Sequence, residues 1–211
     1  FFIRLGIPRF TENSEIIAKE ITRKIGFPLT VYDLKEKEGF IIPDIKYKPC
    51  SYCGMIRRYI LNRYGYENNF DFVVMGHNLD DEVFFIFNNL FGKNLPQIQR
   101  TGPLTETIPE KKLIGRVKPL YYLTEEEILL YVKLSKLPHI GCACPNSIDS
   151  TQRKFKMGTD FTREQKLNLV YSILEIKKFL PEEKIEIKFC EKCGYPTTSN
   201  ICKFCKTKEK V

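Results

Sequence analysis

The chain has 211 residues, 43% hydrophobic and 13% aromatic, enough to bury a core and carry a small appendage. Its 34 Lys+Arg against 26 Asp+Glu give a net charge of +8, which favours a polyanionic partner, nucleic acid first, although Lys abundant on solvated faces would give the same balance. It shows neither a secretory signal nor an apolar run long enough to span a bilayer, so no membrane partner and a reducing, cytoplasmic setting are expected.

In chain order, Phe1-Phe-Ile3 reads as the tail of a strand. The stretch from Thr11 places Ile17, Ile21 and Ile25 at helical spacing, and Gly26 stops it. Pro28 to Tyr32 reads as a second strand, and Cys50 to Gly65 as a cysteine-bearing turn that opens a helix. Phe72 to Met75 is a short apolar strand, and the turn GHNLDDE (Gly76–Glu82) leads from it into a helix from Val83 to Gly92, with Phe84, Phe85 and Phe87 expected in the core. Leu113 to Pro119 reads as an irregular strand. Thr124 with Glu127 forms a capping box for the next helix, and a last helix is expected from about Asp160 to Leu180, ended by Pro181. Strands alternating with helices predict an α/β fold with a mostly parallel sheet. Ligands bind such sheets at the carboxyl ends of the strands, where GHNLDDE lies.

All eight cysteines fall in close pairs: Cys50/Cys53, Cys142/Cys144, Cys190/Cys193 and Cys202/Cys205. Close pairs let two thiolates point from one turn at one metal or cluster, whereas disulfide frameworks join distant positions. The last two pairs form two knuckles of Cys-x-x-Cys with no histidine and no open position, the ligand set of structural zinc; a rubredoxin-like iron site would use the same residues. Residues 187–211 have little apolar content, so metal would supply much of their folding energy. Cys50 and Cys53 precede a helix whose positive end is expected to lower thiol pKa values. Three thiolates gathered there with one from the Cys-Ala-Cys-Pro turn would suit a cluster with one iron left free of protein. Zinc, or a redox disulfide of thioredoxin type, competes with that reading on spacing alone.

CSYCGMIRRYILN, GHNLDDEV, RTGP, VKPL, CACP and CEKCGYPTTSNICKFC, in this order over nearly the whole chain, resemble the TtuA/NcsA-type tRNA-uridine 2-sulfurtransferases. The resemblance implies a nucleotide-binding α/β domain of the PP-loop class, a parallel sheet flanked by helices, over residues 1–158, a helical connector over 159–186 and a small C-terminal zinc ribbon over 187–211. It implies ATP with Mg2+, which adenylates a uridine in tRNA, and replacement of the 2-oxygen by sulfur delivered on a 4Fe-4S cluster held by three cysteines. The cluster ligands would be Cys50, Cys53 and Cys144, with Cys142 an extra thiol, a bystander or stand-in rather than a ligand; Cys190, Cys193, Cys202 and Cys205 would hold zinc. Arg57 falls on a basic position near the nucleotide phosphates where the family often has lysine. Gly76 falls where backbone meets the nucleotide, with His77 a further nucleotide contact, and Asp81 on an acidic residue needed for activity. Asp81, Cys50 and Cys144 would be the catalytic set. The sulfur source would be sulfide or a sulfur-carrier protein, and the assembly a homodimer. The Ser-Gly-Gly-x-Asp-Ser phosphate loop and the N-terminal zinc ribbon of the family do not occur in this sequence, which opens at what resembles the family's second strand; the first strand and its loop are expected upstream.

Uridine's carbonyl oxygen is a poor leaving group, so adenylation must precede sulfur attack, and departing pyrophosphate needs cations and amide donors. Each candidate has a plainer explanation beside this one. Asp81 could simply cap a helix with Asp80, His77 and His139 could be structural, and Arg57, Arg58 and Arg63 could line a solvated helix face rather than, with Arg100, Arg116 and Lys118, a path for RNA phosphates. Two rival functions remain open at this level: a persulfide sulfurtransferase that uses Cys50 or Cys144 without a cluster, and a non-catalytic zinc-dependent RNA-binding protein.

Overall fold

Two parallel strand pairs share one long helix. In the computed structural model, which describes residues 1–181 and 186–211, the first pair is β1 (Phe2–Arg4) and β2 (Val31–Asp33), with Phe2 opposite Val31, joined by α1 (Phe10–Ile25). Residues 182–185 of the expected connector lie outside the described residues. The helix ends where Gly26 adopts φ 73, and its amide is free to close onto the carbonyl of Arg23. At Gly6, φ is also 73, and a Cβ would stand 2.5 Å from Ile41, so only glycine fits the turn after β1. Arg4 ties the unit together by donating to Glu15 at 2.8 Å and Asp33 at 2.7 Å; Asp33 also caps α2 (Leu34–Glu38).

The shared helix is α3 (Pro49–Glu67), and it leads to the second unit: β3 (Phe72–Val74), α4 (Leu79–Phe91), α5 (Leu95–Gln99), β4 (Leu104–Thr105) and β5 (Gly115–Val117). Here β5 is central, parallel to β3 and antiparallel to β4. The expected parallel sheet is therefore present as two separate units. Tyr64 of α3 spans them, its ring 4.2 Å from Phe1 beside β1 and 6.1 Å from Phe70 before β3. Gly115 lets the three strands close up, because a Cβ there would lie 2.5 Å from the Thr105 carbonyl. α4 begins at Leu79 rather than Val83, since Asn78 and Asp81 form a capping box. α6 (Glu125–Leu134) starts at the Thr124/Glu127 box as expected. α7 (Thr151–Gly158) has no counterpart in the sequence reading. α8 (Arg163–Ile176) is shorter than expected, because Thr162 and Gln165 cap it and its last turn tightens at Lys177–Phe179. Phe84 is buried, while Phe85 and Phe87 are half-buried.

One buried ion pair crosses from α4 to the strand end of β5. Glu82 is 1% exposed and accepts from Lys118 Nζ at 2.7 Å. Burial raises the Glu82 pKa above its ordinary 4.5, against the pull of Lys118. Lys118→Met should therefore cost about 3–5 kcal/mol at neutral pH, the range for a buried charge stripped of its partner. A carboxyl whose folded pKa lies above the unfolded one gives its full stability below the unfolded value and loses it as pH rises. The deficit of Lys118→Met relative to the parent should thus shrink as pH falls from 7 toward 4.5. Urea unfolding at both ends of that range would measure it, and an equal deficit at both would contradict the assignment.

The C-terminal segment, β6 (Lys188–Phe189), β7 (Pro196–Thr197) and α9 (Lys203–Lys208), borrows its core from α3. Phe204 is 3% exposed and stacks on Tyr59 at 3.9 Å with an interplanar angle of 11°. Lys208 bonds Glu38 at 3.0 Å, Tyr195 donates to Glu67 at 2.7 Å, and Lys112 donates to the Gly194 carbonyl at 3.1 Å. Among the described residues no helix is long and apolar enough to cross a membrane.

Candidate functional site

Pro49 starts α3 at its first helical position, which puts Cys50 and Cys53 three residues apart on one side of the first turns. Cys144 heads a tight turn at Pro145–Ser147 that packs on the same end of α3. The Cys50 thiol donates to the Asn146 carbonyl at 2.7 Å, and Ser147 Oγ donates to the Cys144 carbonyl at 2.7 Å. Cys53 and Cys144 pack against one apolar cluster that includes Ile7, Ile56 and Ile60. Cys142, two residues away, is exposed.

The helix end does not lower these thiols as expected. Burial, then the nearby Cys144, pushes Cys50 up. Burial takes Cys53 up to about 11 even though Arg57 and Arg58 pull the other way. At Cys53 desolvation outweighs the pull of the two arginines. Thiols raised in this way, Cys50 and Cys53, fit a cationic inorganic core, which would supply the countercharge. Their sulfurs are not drawn in as for a single ion; among the described residues the Cys, His and carboxylate ligands that lie within 4.8 Å of one another are Cys190, Cys193, Cys202 and Cys205. A cluster that offers a separate iron to each thiolate suits the wider set.

That C-terminal quartet could hold one tetrahedral ion. The Cys202 amide donates to Cys190 Sγ at 3.2 Å and the Cys205 amide to Cys202 Sγ at 3.4 Å. Burial alone would raise Cys190, but the amides of Cys202, Cys193 and Lys192 outweigh it and bring the thiol to about 6. Donors aimed at sulfur are what a thiolate ligand needs.

The second constellation sits at the carboxyl end of β3. Gly76 is exposed, with nothing within 4 Å of where a Cβ would be, so its backbone is open to a ligand. His77 stands edge-on to Phe85 at 5.5 Å, and its buried Nδ1 has no partner among the described residues. Burial lowers its pKa, and Lys118, Arg116 and Arg57 together oppose the raising effect of Asp81. Asp81 accepts from the Asn78 amide at 3.2 Å, from Gln152 Nε2 at 2.7 Å and from Lys156 Nζ at 2.9 Å. Asp80 is spent elsewhere, on Lys166 and the Glu125 amide, both at 2.7 Å.

Charge separates the arginines. Arg57, Arg58 and Arg116 have no carboxylate partner among the described residues. Asn62 of α3 accepts from the Ile114 amide at 3.0 Å, which lays the Arg58 side of the helix over Arg116 of β5. Burial and Arg58 hold the Arg116 pKa down. Arg63 and Lys118 do not join this basic face: Arg63 is bonded to Glu38 and Tyr32, and Lys118 to Glu82. His139 takes a local bond to the Leu137 carbonyl at 3.1 Å. Gln152, Lys156 and Asn146 are the site residues that sequence reasoning missed. The four-residue spacing of Gln152 and Lys156 behind a Ser150 cap was their only sequence signal.

Comparison with known proteins gives a uniform result. The chain is 40% identical over 213 residues to the tRNA-5-methyluridine(54) 2-sulfurtransferase of Pyrococcus horikoshii, covering 97% of this chain and 68% of that protein. It is 32% identical over 219 residues to the protein of the same name from Thermotoga maritima, covering 100% of this chain and 72% of the relative. It shares its fold with the U34-tRNA thiolase NcsA of Methanococcus maripaludis, solved with its [4Fe-4S] cluster, at a TM-score of 0.80 and 24% identity over 99% of this chain and 69% of that one. No protein-family model matches the chain.

Proposed function

The chain belongs to the TtuA/NcsA-type tRNA-uridine 2-sulfurtransferases, and from that premise we propose that it thiolates a uridine of tRNA in an ATP-dependent reaction centred on Cys50, Cys53 and Cys144. One observation carries the proposal: at the start of α3 the Cys50 thiol bonds the Asn146 carbonyl of the Cys144 turn, 96 residues away, beside three arginines without a carboxylate partner among the described residues and the open end of β3. Cys50, Cys53 and Cys144 would hold a 4Fe-4S cluster, which supplies an iron without a protein ligand where inorganic sulfur can be kept as an anion. The apolar packing around Cys53 and Cys144 keeps water from that sulfur. Arg57 and the bare backbone at Gly76 are the contacts this chain offers to ATP and its Mg2+, and His77, neutral, offers a hydrogen bond to the nucleotide. Arg58 and Arg116 extend the cationic face toward tRNA phosphates. The quartet Cys190, Cys193, Cys202 and Cys205 would take zinc. We assign the protein to the cytoplasm, where thiols stay reduced, as a homodimer supplied by sulfide or a sulfur-carrier protein, with catalytic, connector and ribbon parts at 1–158, 159–186 and 187–211.

Anaerobic reconstitution of the protein should give about four irons beyond the ribbon ion. Incubation with tRNA, ATP·Mg2+ and sulfide, followed by nucleoside mass spectrometry, should show 2-thiouridine only when both iron and ATP are present. Thiolation by iron-free protein bearing a transferable sulfane sulfur would replace this reading with persulfide chemistry on Cys50 or Cys144. Salt-dependent tRNA binding without ATP turnover would leave a non-catalytic RNA-binding protein.

A further inference from the structure

Asp81 is held by more partners than a group waiting to exchange a proton requires. Oδ2 accepts the Asn78 amide, and Oδ1 accepts both Gln152 at 2.7 Å and Lys156 at 2.9 Å. An ionised carboxylate offers about four lone-pair directions, so little is left for a metal or a substrate.

The two long-range donors stand one helical turn apart on α7, so they face Asp81 together. α7 has eight residues and buries none of them, and a helix that short does not hold itself together in water. Besides the Asp81 contacts, Phe155 anchors it, with its ring 5.6 Å from Phe84 and 5.5 Å from Phe87 on α4. Lys156 also reaches Glu125 at 2.8 Å, but that carboxylate is exposed and competes with water. Immediately before α7 comes the turn headed by Cys144, whose Asn146 carbonyl takes the Cys50 thiol. The position of α7 on α4 therefore sets where the third cysteine can stand.

We propose that Asp81 is a positioning residue for the sulfur site: by latching α7 through Gln152 and Lys156, it fixes the Cys144 turn against Cys50 and Cys53. The proposal rests on the three-cysteine reading above and moves the acidic residue from the reaction to the architecture that supports it. It also explains why the same carboxylate caps α4: one group registers the helix after β3 and the cysteine turn together.

The test separates the latch from the cluster. In the metal-free protein, amide hydrogen exchange over residues 144–158 and the alkylation rate of Cys144 report the turn directly. In the reconstituted protein, iron release to a chelator reports the site. The double variant Gln152→Leu/Lys156→Met should raise exchange and Cys144 alkylation on the order of tenfold, the equivalent of one charge-assisted hydrogen bond. It should also speed iron loss and leave the KM for ATP at the parent value. Lys156→Arg should restore the parent behaviour, and Asp81→Asn should loosen the turn as the double variant does. Parent-like exchange and iron lifetime in the double variant would overturn the proposal. So would Asp81→Asn protein that loses thiolation while its turn and its iron stay as tight as in the parent, because the acid would then act on the reaction itself. If the parent takes up no iron, the three-cysteine reading falls, and exchange and alkylation still decide whether the latch exists.

Discussion

Cys144→Ala should cost the protein its iron and its thiolation together, while Cys142→Ala leaves both at the parent level. The two cysteines are separated by one residue, so the contrast isolates position from composition. Cys144 is half-buried, contacts the apolar cluster that also holds Cys53, and belongs to the turn that accepts the Cys50 thiol. Cys142 is exposed and packs against nothing in that cluster. Losing an outer-shell partner of a metal site already costs roughly 10–100-fold in affinity or activity, and losing a ligand should exceed that. The checks are iron per chain, visible absorbance and 2-thiouridine yield, with the ion of the C-terminal quartet as internal control because its ligands lie on other elements. If Cys144→Ala kept a full complement of iron, the ligand set would be wrong. If Cys142→Ala lost it, the exposed thiol would have to be admitted to the site.

How much of this was legible beforehand depends on how local each signal is. Paired cysteines declare themselves in sequence, because two ligands from one turn must be near neighbours, and the quartet at Cys190–Cys205 is as close as its spacing promised. The Thr124/Glu127 box is equally local and marks its helix start correctly. What depended on remote partners was hidden. Arg63 and Lys118 look like free cations along the chain, yet their carboxylates, Glu38 and Glu82, lie 25 and 36 residues away. α7 offers only Phe155 and Met157 as large apolar residues in eight, too few for a periodic signal, and it exists because α4 receives it. The Cys53 thiol illustrates the same limit in electrostatics: the helix start is visible in sequence, but the burial that raises the thiol is not. Asp81 lay between the two kinds. Its capping role could be read locally, and its grip on Gln152 and Lys156 could not.

Cys190→Ser should release the ion of the C-terminal quartet and unfold the tail while leaving most of the body standing. Structural zinc contributes on the order of 10 kcal/mol to the folding of comparable small segments, as much as a whole domain's usual 5–15 kcal/mol of stability. Most of that energy goes into ordering residues 187–211, which have almost no core of their own. What the body loses is the tail's hold on α3, chiefly Phe204 stacked on Tyr59 and the Lys208–Glu38 contact. Phe204→Ala, with the ion kept, isolates the first of these and should cost about 3–5 kcal/mol. Cys190→Ser should therefore lower the body's stability by roughly the same amount and no more, with limited proteolysis cutting the tail first and thermal unfolding showing a second, later transition. Because α3 also carries Cys50 and Cys53 on its first turns, iron loss from the three-cysteine site should quicken in both variants to a similar degree. If Cys190→Ser retained its ion and a single transition at the parent temperature, the tail would be held by its packing on α3, and the four thiolates would not be what folds it.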